Sequence, residues 1–333
     1  MSETGTSTSL VSRFQRWVVW ALVIGMLLYL GGSIWAGAGE VASELKRFAW
    51  SLAIPVLGLT LVNYALRFLK WHYLMRVLGV EISWKEDCVI FIAGLSMVIS
   101  PGKVGEVLKP YLVTRRTGVP MSQTLPALIA ERLTDGIAII GLAAISIGSF
   151  ASDKVAWLIW PSVAVVLGLA VLASERLSLS LLSLLGRLPG VRKIASRLEE
   201  AYRAMRVCLA PFPLLATIVI SVVAWWAECI GFQLVFQGLG ESVGLDAATF
   251  LYAFATVAGG AFPGGIGGAD AALAGGATTI VGVSESVALC AALLIRVATL
   301  WFGVLLGALA LLRLNKIIEG GVAANLQDGS EHA

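Results

Sequence analysis

Six ionisable residues stand within or beside long apolar runs: Glu131, Arg132 and Asp135 in one, Glu228 in a second, Arg296 in a third, and Asp270 just after a glycine-rich break. A charge at the centre of a bilayer costs at least about 2.5–3.5 kcal/mol even on permissive scales. Such residues must pair with one another or face water. Glu131 and Asp135 are four apart and share a helical face, while Arg132 and Asp135 are three apart. Asp135 can therefore neutralise Arg132 locally and leave Glu131 for another element. Arg296 has no acid nearby in its own run, so Glu228 or Asp270 is its candidate partner. The pattern suits buried pairs that fix helix packing, and equally a polar path or proton carrier.

A second group surrounds two breaks. Pro101 and Gly102 end one apolar segment, and Lys103, Gly105, Glu106 and Lys109 follow. Proline stops a helix and glycine permits unusual backbone angles. The next helix then begins at a lysine, and a helix N-terminus offers unpaired N–H groups and partial positive charge that suit a phosphate. Lys109 lies on nearly the same face as Lys103, and Glu106 could orient either lysine. A plain turn with snorkelling lysines is the alternative. Of the ligands this chemistry admits, an anionic lipid headgroup fits best. The second break holds Pro263, Gly264, Gly265, Gly267 and Gly268, about 160 residues further on.

The elements that carry these groups are membrane elements. Of 333 residues, 58% are hydrophobic and 14% charged, with a mean hydropathy of +0.87. Runs near 17–39, 48–66, 155–174 and 207–227 are charge-free, and 124–148 and 286–312 are further candidate spans. Irregular backbone inside hydrocarbon persists only where protein or water satisfies it. A matched pair of interrupted segments points to a transporter's binding site. The expected fold is an all-α polytopic membrane protein with about six full transmembrane helices and two re-entrant helical hairpins, near 87–116 and 247–282.

Basic residues set the orientation. Arg13 and Arg16, then Lys70, Arg76, Lys85, Arg115 and Arg116, and finally Arg313 and Lys316 read as cytoplasmic. The gaps near 38–47 and 239–247 read as external. Residues 1–16 and 317–333 form tails around a transmembrane domain at 17–316, and 175–206 forms a basic segment of short interfacial helices. The first hydrophobic run exceeds a signal-peptide core and is expected to stay uncleaved, despite Ala36-Gly37-Ala38. Leu78-Gly79 matches Leu239-Gly240, Gly118-Val119 matches Gly282-Val283, and Arg132 matches Arg296, at a spacing of 161–164 residues. The chain thus reads as a repeat, about 48–148 and 211–312, with its two units inverted.

Other chemistries lack their residues. A net charge of +3 without a basic-aromatic strip gives no reason to expect nucleic acid. His72 and His332 form no metal pair, and Cys88, Cys208, Cys229 and Cys290 are isolated packing residues. The P-loop spacing is absent around Lys103, and Gly265-Ile266-Gly267 is not followed by a dinucleotide fingerprint. No cofactor, metal or enzymatic activity is expected.

Three stretches together, Ser100 to Lys109, Glu131-Arg132-Leu133-Thr134-Asp135 and Pro263 to Gly268, resemble the flippase-like transmembrane family. That family is typified by the membrane domain of lysylphosphatidylglycerol synthase/flippase proteins, and the resemblance covers about 15–315. It implies a bacterial or archaeal protein of the cell (inner) membrane, with cytoplasmic termini, that moves lipid between leaflets. The cargo would be an anionic phospholipid or a polyprenyl-phosphate-linked lipid, carried by alternating access. Lys103, Glu106, Lys109, Glu131, Arg132 and Asp135 fall on its motif positions. The chain departs from the family in leaving no room for an aminoacyl-transferase domain, so synthase activity is not implied. Asp270 also stands where many relatives would carry glutamate. Two other readings stay open: a membrane enzyme acting on a lipid-linked sugar or phosphate, and a non-transporting subunit of an envelope-biogenesis complex. Partners beyond membrane lipids, whether a homo-oligomer or an envelope enzyme, are equally open.

Overall fold

The computed structural model describes residues 38–100, 105–147 and 195–311, with the single positions 24 and 163. Pro101, Gly102 and Lys103, both tails and nearly all of the runs expected at 17–39 and 155–174 lie outside the described residues. All regular structure among those described is helical.

Four helices are long. They are α2 (Ala53–Val77, entered through a 3-10 turn at Trp50–Leu52), α5 (Met121–Ile147), α7 (Pro211–Gly238) and α10 (Glu285–Arg296). The last runs on through a π turn at Val297–Trp301 to Leu311. Three of these stretches, Trp50–Val77, Pro211–Gly238 and Glu285–Leu311, are long and apolar enough to cross a membrane. Helix α5 has 27 residues but carries three charges. At 1.5 Å per residue each spans ~40 Å, more than the ~30 Å of hydrocarbon.

Two boundaries differ from the sequence reading. The second span was expected to stop near 66 with Lys70 in a cytoplasmic loop. Helix α2 continues instead to Val77 and takes Arg67 and Lys70 inside with it. Both residues propagate a helix well, and no proline or glycine intervenes before Gly79. The span expected at 207–227 likewise starts at Pro211, where proline suits the first helical position, and runs to Gly238, which places Glu228 well within it. The gap near 38–47, read as external, is helix α1 (Ala38–Arg47), with Val41 and the following Phe48 buried in the core of the second half.

Short helices flank the breaks. Helix α3 (Trp84–Leu95) precedes the first break and α4 (Leu108–Thr117) follows it. Helix α8 (Leu245–Ala258) and α9 (Gly268–Gly276) bracket the second. Their 9–14 residues give only ~14–21 Å of helix each. Helix α3 starts on a serine N-cap: the Ser83 hydroxyl accepts from the Glu86 N–H and donates to the Glu86 carboxylate at 2.9 Å. Both pairs end on glycine with left-handed backbone, Gly118 at φ 76° and Gly282 at φ 82°, which a side chain would strain. Helix α6 (Ala195–Cys208), the described end of the basic segment, packs on α5.

The halves meet along α2 and α7, where the Asn63 amide donates to the Ala224 carbonyl at 2.8 Å. One core gathers around α2 to α5 and another around α7 to α10. A smaller cluster of Ile99, Leu300 and Val304 lies where the turn Ser96–Ile99 of the first break touches the turn Pro263–Gly265 of the second. Gly264, at φ 58°, sits so close there that a Cβ would lie 3.3 Å from the Ile99 Cα. The two interruptions therefore come together in the interior.

Candidate functional site

Helix α5 directs Glu131, Arg132 and Asp135 into the first half. Glu131 is fully buried and accepts from Lys109 Nζ at 2.5 Å on one oxygen and from Arg132 at 2.5 Å on the other, with Arg67 at 3.7 Å. Asp135 accepts from Lys70 Nζ at 2.5 Å and lies 3.4 Å from Arg132. Lys70 has three acceptors for its three hydrogens: Asp135, the Ser221 hydroxyl at 2.8 Å and the Glu131 carbonyl at 3.2 Å. A buried charge tolerates its position only when its hydrogen-bonding capacity is met in this way.

Lys109 was expected at a lipid headgroup, but it does not line the central cavity. Its ammonium is enclosed by Glu131 and by the rings of Trp71 and Phe91, at 4.4 Å and 5.1 Å from their centroids. Gly94 makes room for its stem, since a Cβ there would meet Lys109 Cγ at 2.5 Å. Glu106, expected to orient a lysine, reaches Arg132 instead at 3.2 Å. Arg132 is therefore shared among Glu106, Glu131 and Asp135 rather than held by Asp135 alone.

The second half repeats only part of this arrangement. Arg296 on α10 pairs with Asp270 at 2.9 Å and donates to the Gly264 carbonyl. Of the two acids offered as its partner, Asp270 is the one in contact. Asp270 also accepts from the Gly267 N–H at 2.9 Å. Arginine and acid thus tie the second break to the following span, as Arg132 and Glu106 tie the first.

Between the breaks lies a cavity of ≈ 130 Å³, reached by Val98 and Glu106 on one side and Gly264 and Gly265 on the other. Arg67, Arg132 and Arg296 all line it. Arg67 Nε and Glu106 Oε1 are buried without a hydrogen-bond partner among the described residues, which leaves capacity for a guest. Glu228 also lines the cavity. It is 3% exposed, and its hydrogen bond is a long one, 3.5 Å, from the Tyr252 hydroxyl.

The sequence reading missed Arg67, Lys70, Asn63 and Tyr252 as cavity or network residues. The first three were detectable, because Asn63, Arg67 and Lys70 are spaced four and three apart and so share one face of α2. Gly265 lines the cavity while Gly267 and Gly268 do not.

Comparisons with known proteins agree with a membrane-embedded, multi-pass helical chain. The family profile described as "Lysylphosphatidylglycerol synthase TM region" matches residues 18–307. Two proteins of Methanothermobacter thermautotrophicus, each named "UPF0104 membrane protein", are 24% and 23% identical over 310 and 316 residues. These alignments cover 86% and 87% of this chain, and 90% and 93% of the relatives. A protein of Haloferax volcanii named "Glycosyltransferase AglD" is 24% identical over 133 residues, 38% of this chain and 21% of its own length.

Proposed function

The chain belongs to the lysylphosphatidylglycerol synthase transmembrane-region family, and from that premise we propose that it translocates an anionic lipid headgroup between membrane leaflets. The observation that carries this reading is the cavity at the meeting of the two breaks, with three arginines converging on it. Guanidinium groups bind phosphate through paired N–H donors, and Arg67 Nε is buried and uncommitted among the described residues. A volume of ≈ 130 Å³ holds about four waters' worth of liquid, enough for a phosphate group but not for a glycerophospholipid. The tails stay in lipid while the headgroup passes.

On this reading α3–α4 and α8–α9 are re-entrant hairpins entering from opposite faces of the inner membrane, and the two units are an inverted repeat. Rocking of one unit on the other would open the cavity to each side in turn. The termini would lie in the cytoplasm, as the basic residues direct. The cargo is an anionic phospholipid or a polyprenyl-phosphate-linked lipid.

Phosphatidylcholine vesicles carrying a trace of fluorescent phosphatidylglycerol, and in parallel a polyprenyl phosphate, test the proposal. We expect the protein to accelerate leaflet exchange of at least one, and Arg67→Gln to slow it about tenfold, the loss of ~1.4 kcal/mol of phosphate binding. Exchange equal to empty vesicles across both lipids, with the protein folded, would overturn it.

A second reading draws on the partial match to the protein named a glycosyltransferase: a membrane unit serving transfer chemistry on a lipid-linked sugar. Recovery of a chemically altered lipid from the same vesicles would favour it.

A further inference from the structure

Five carboxylates stand near the two breaks, and four have a cation within salt-bridge distance. Glu106 meets Arg132, Glu131 meets Lys109, Asp135 meets Lys70, and Asp270 meets Arg296. Glu228 forms no ion pair among the described residues, although it is 3% exposed and lines the cavity. An isolated buried carboxylate sheds its charge by taking up a proton. From this geometry we propose that Glu228 is a proton-carrying site and that one proton accompanies each anionic headgroup through the cavity.

The charged and titratable groups that share the cavity with Glu228 come from several helices. Helix α2 presents Tyr64 and Arg67 to the cavity, α5 presents Arg132, α8 presents Tyr252, and α10 presents Arg296, already bound to Asp270 of α9. The first break presents Glu106, already bound to Arg132, and Cys229 follows Glu228 on α7 itself. Helix α6 and the turn Trp50–Leu52 also touch α7 but contribute no residue to the cavity. Arg132 and Arg296 are thus neutralised by partners of their own. Arg67, 3.7 Å from a Glu131 that has two closer cations, is the loosely held one.

Coupling follows from competition for Arg67. When Glu228 is ionised, its charge faces Arg67 across the cavity and competes with an incoming phosphate. When Glu228 is protonated, Arg67 meets the anion with only its 3.7 Å contact to Glu131 in competition. Each ligand therefore strengthens the other's binding by the same factor. The proton is bound at Glu228 from one side, travels as the neutral acid, and leaves as the headgroup leaves on the other. No bond other than O–H forms or breaks. A singly charged headgroup with one proton moves no net charge, so a membrane potential alone should not drive the exchange.

The proposal rests on the translocator reading, and two measurements separate their failures. In phosphatidylcholine nanodiscs, infrared difference spectra across mildly acid to mildly alkaline pH should show a protonated carboxyl stretch in the full chain. Glu228→Gln should remove that band, and Tyr252→Phe, which deletes the hydroxyl at 3.5 Å, should shift it. The second variant keeps the test open if the first does not fold. Spectra of both variants superimposable on the parent protein would overturn the proton site, whatever lipid is carried. In vesicles that exchange phosphatidylglycerol, a pH gradient should shift the leaflet ratio by about tenfold per pH unit. Glu228→Gln should lower that response to none, whatever its rate at symmetric pH. Active exchange indifferent to the gradient would overturn the coupling while leaving the translocator reading in place.

Discussion

The two break-and-span units share one device and differ in everything built around it. Each has an arginine on the long helix after the break, paired with an acid at or just before the start of the preceding short helix: Arg132 with Glu106 and Arg296 with Asp270. The first unit adds Lys70, Lys109, Glu131 and Asp135, all buried. The second adds no buried lysine, its further buried acid, Glu228, has no ion pair among the described residues, and its core around α8 and α10 is rich in alanine. The shared pair is what a break needs to be held against a span. The extra lysines and acids cross-link α2, α4 and α5 in the first unit through buried ion pairs that the second does not repeat among the described residues.

That contrast can be broken by experiment. Asp135→Ala should give the largest loss of stability, about 3–5 kcal/mol, because Lys70 would be left charged and buried at Ser221. Denaturant unfolding in detergent would measure it. Asp270→Ala removes the same chemistry from the second unit, where the pair is partly exposed at 12% and 26%, and should cost only ~1.5–3 kcal/mol. Its exchange rate in vesicles should fall further than its stability suggests, since it frees the second break. Equal losses of stability from the two substitutions would erase the distinction between the units.

The smallest effect is expected where α6 meets the start of α5. Glu200 on α6 accepts from Ser122 and, at 2.5 Å, from Gln123 at the start of α5. These hydrogen bonds, Ser122's first, hold its carboxyl below the usual carboxylate range. A carboxyl depressed in the folded state stabilises it above the ordinary carboxylate pKa, and that support is lost as pH falls through the lower folded value. Glu200→Gln should therefore narrow the stability difference between neutral and acid pH slightly, leaving exchange at neutral pH unaltered. Melting curves at the two pH values would read it.

What could be read in the sequence followed the physics of each feature. The breaks were legible because proline and glycine cluster there between apolar segments, and irregular backbone in hydrocarbon must be satisfied by protein or water. The charges at 131, 132 and 135 were legible because they interrupt an apolar run. Arg67 and Lys70 were not read as a network, although they share a helical face with Asn63, because they stand at the end of such a run, where a boundary and a buried network look the same. Nor was the enclosure of Lys109 legible, since it depends on Trp71, Phe91 and Gly94, which come from two other helices. Pairing across a bundle leaves no local trace, so Arg296 could be narrowed to two acids and no further.

The amide of Asn63 and the carbonyl of Ala224 are separated by 161 residues, the same distance along the chain as Gly79 and Gly240. The acceptor is main chain, so this tie between α2 and α7 depends on Asn63 alone and on no particular side chain at position 224.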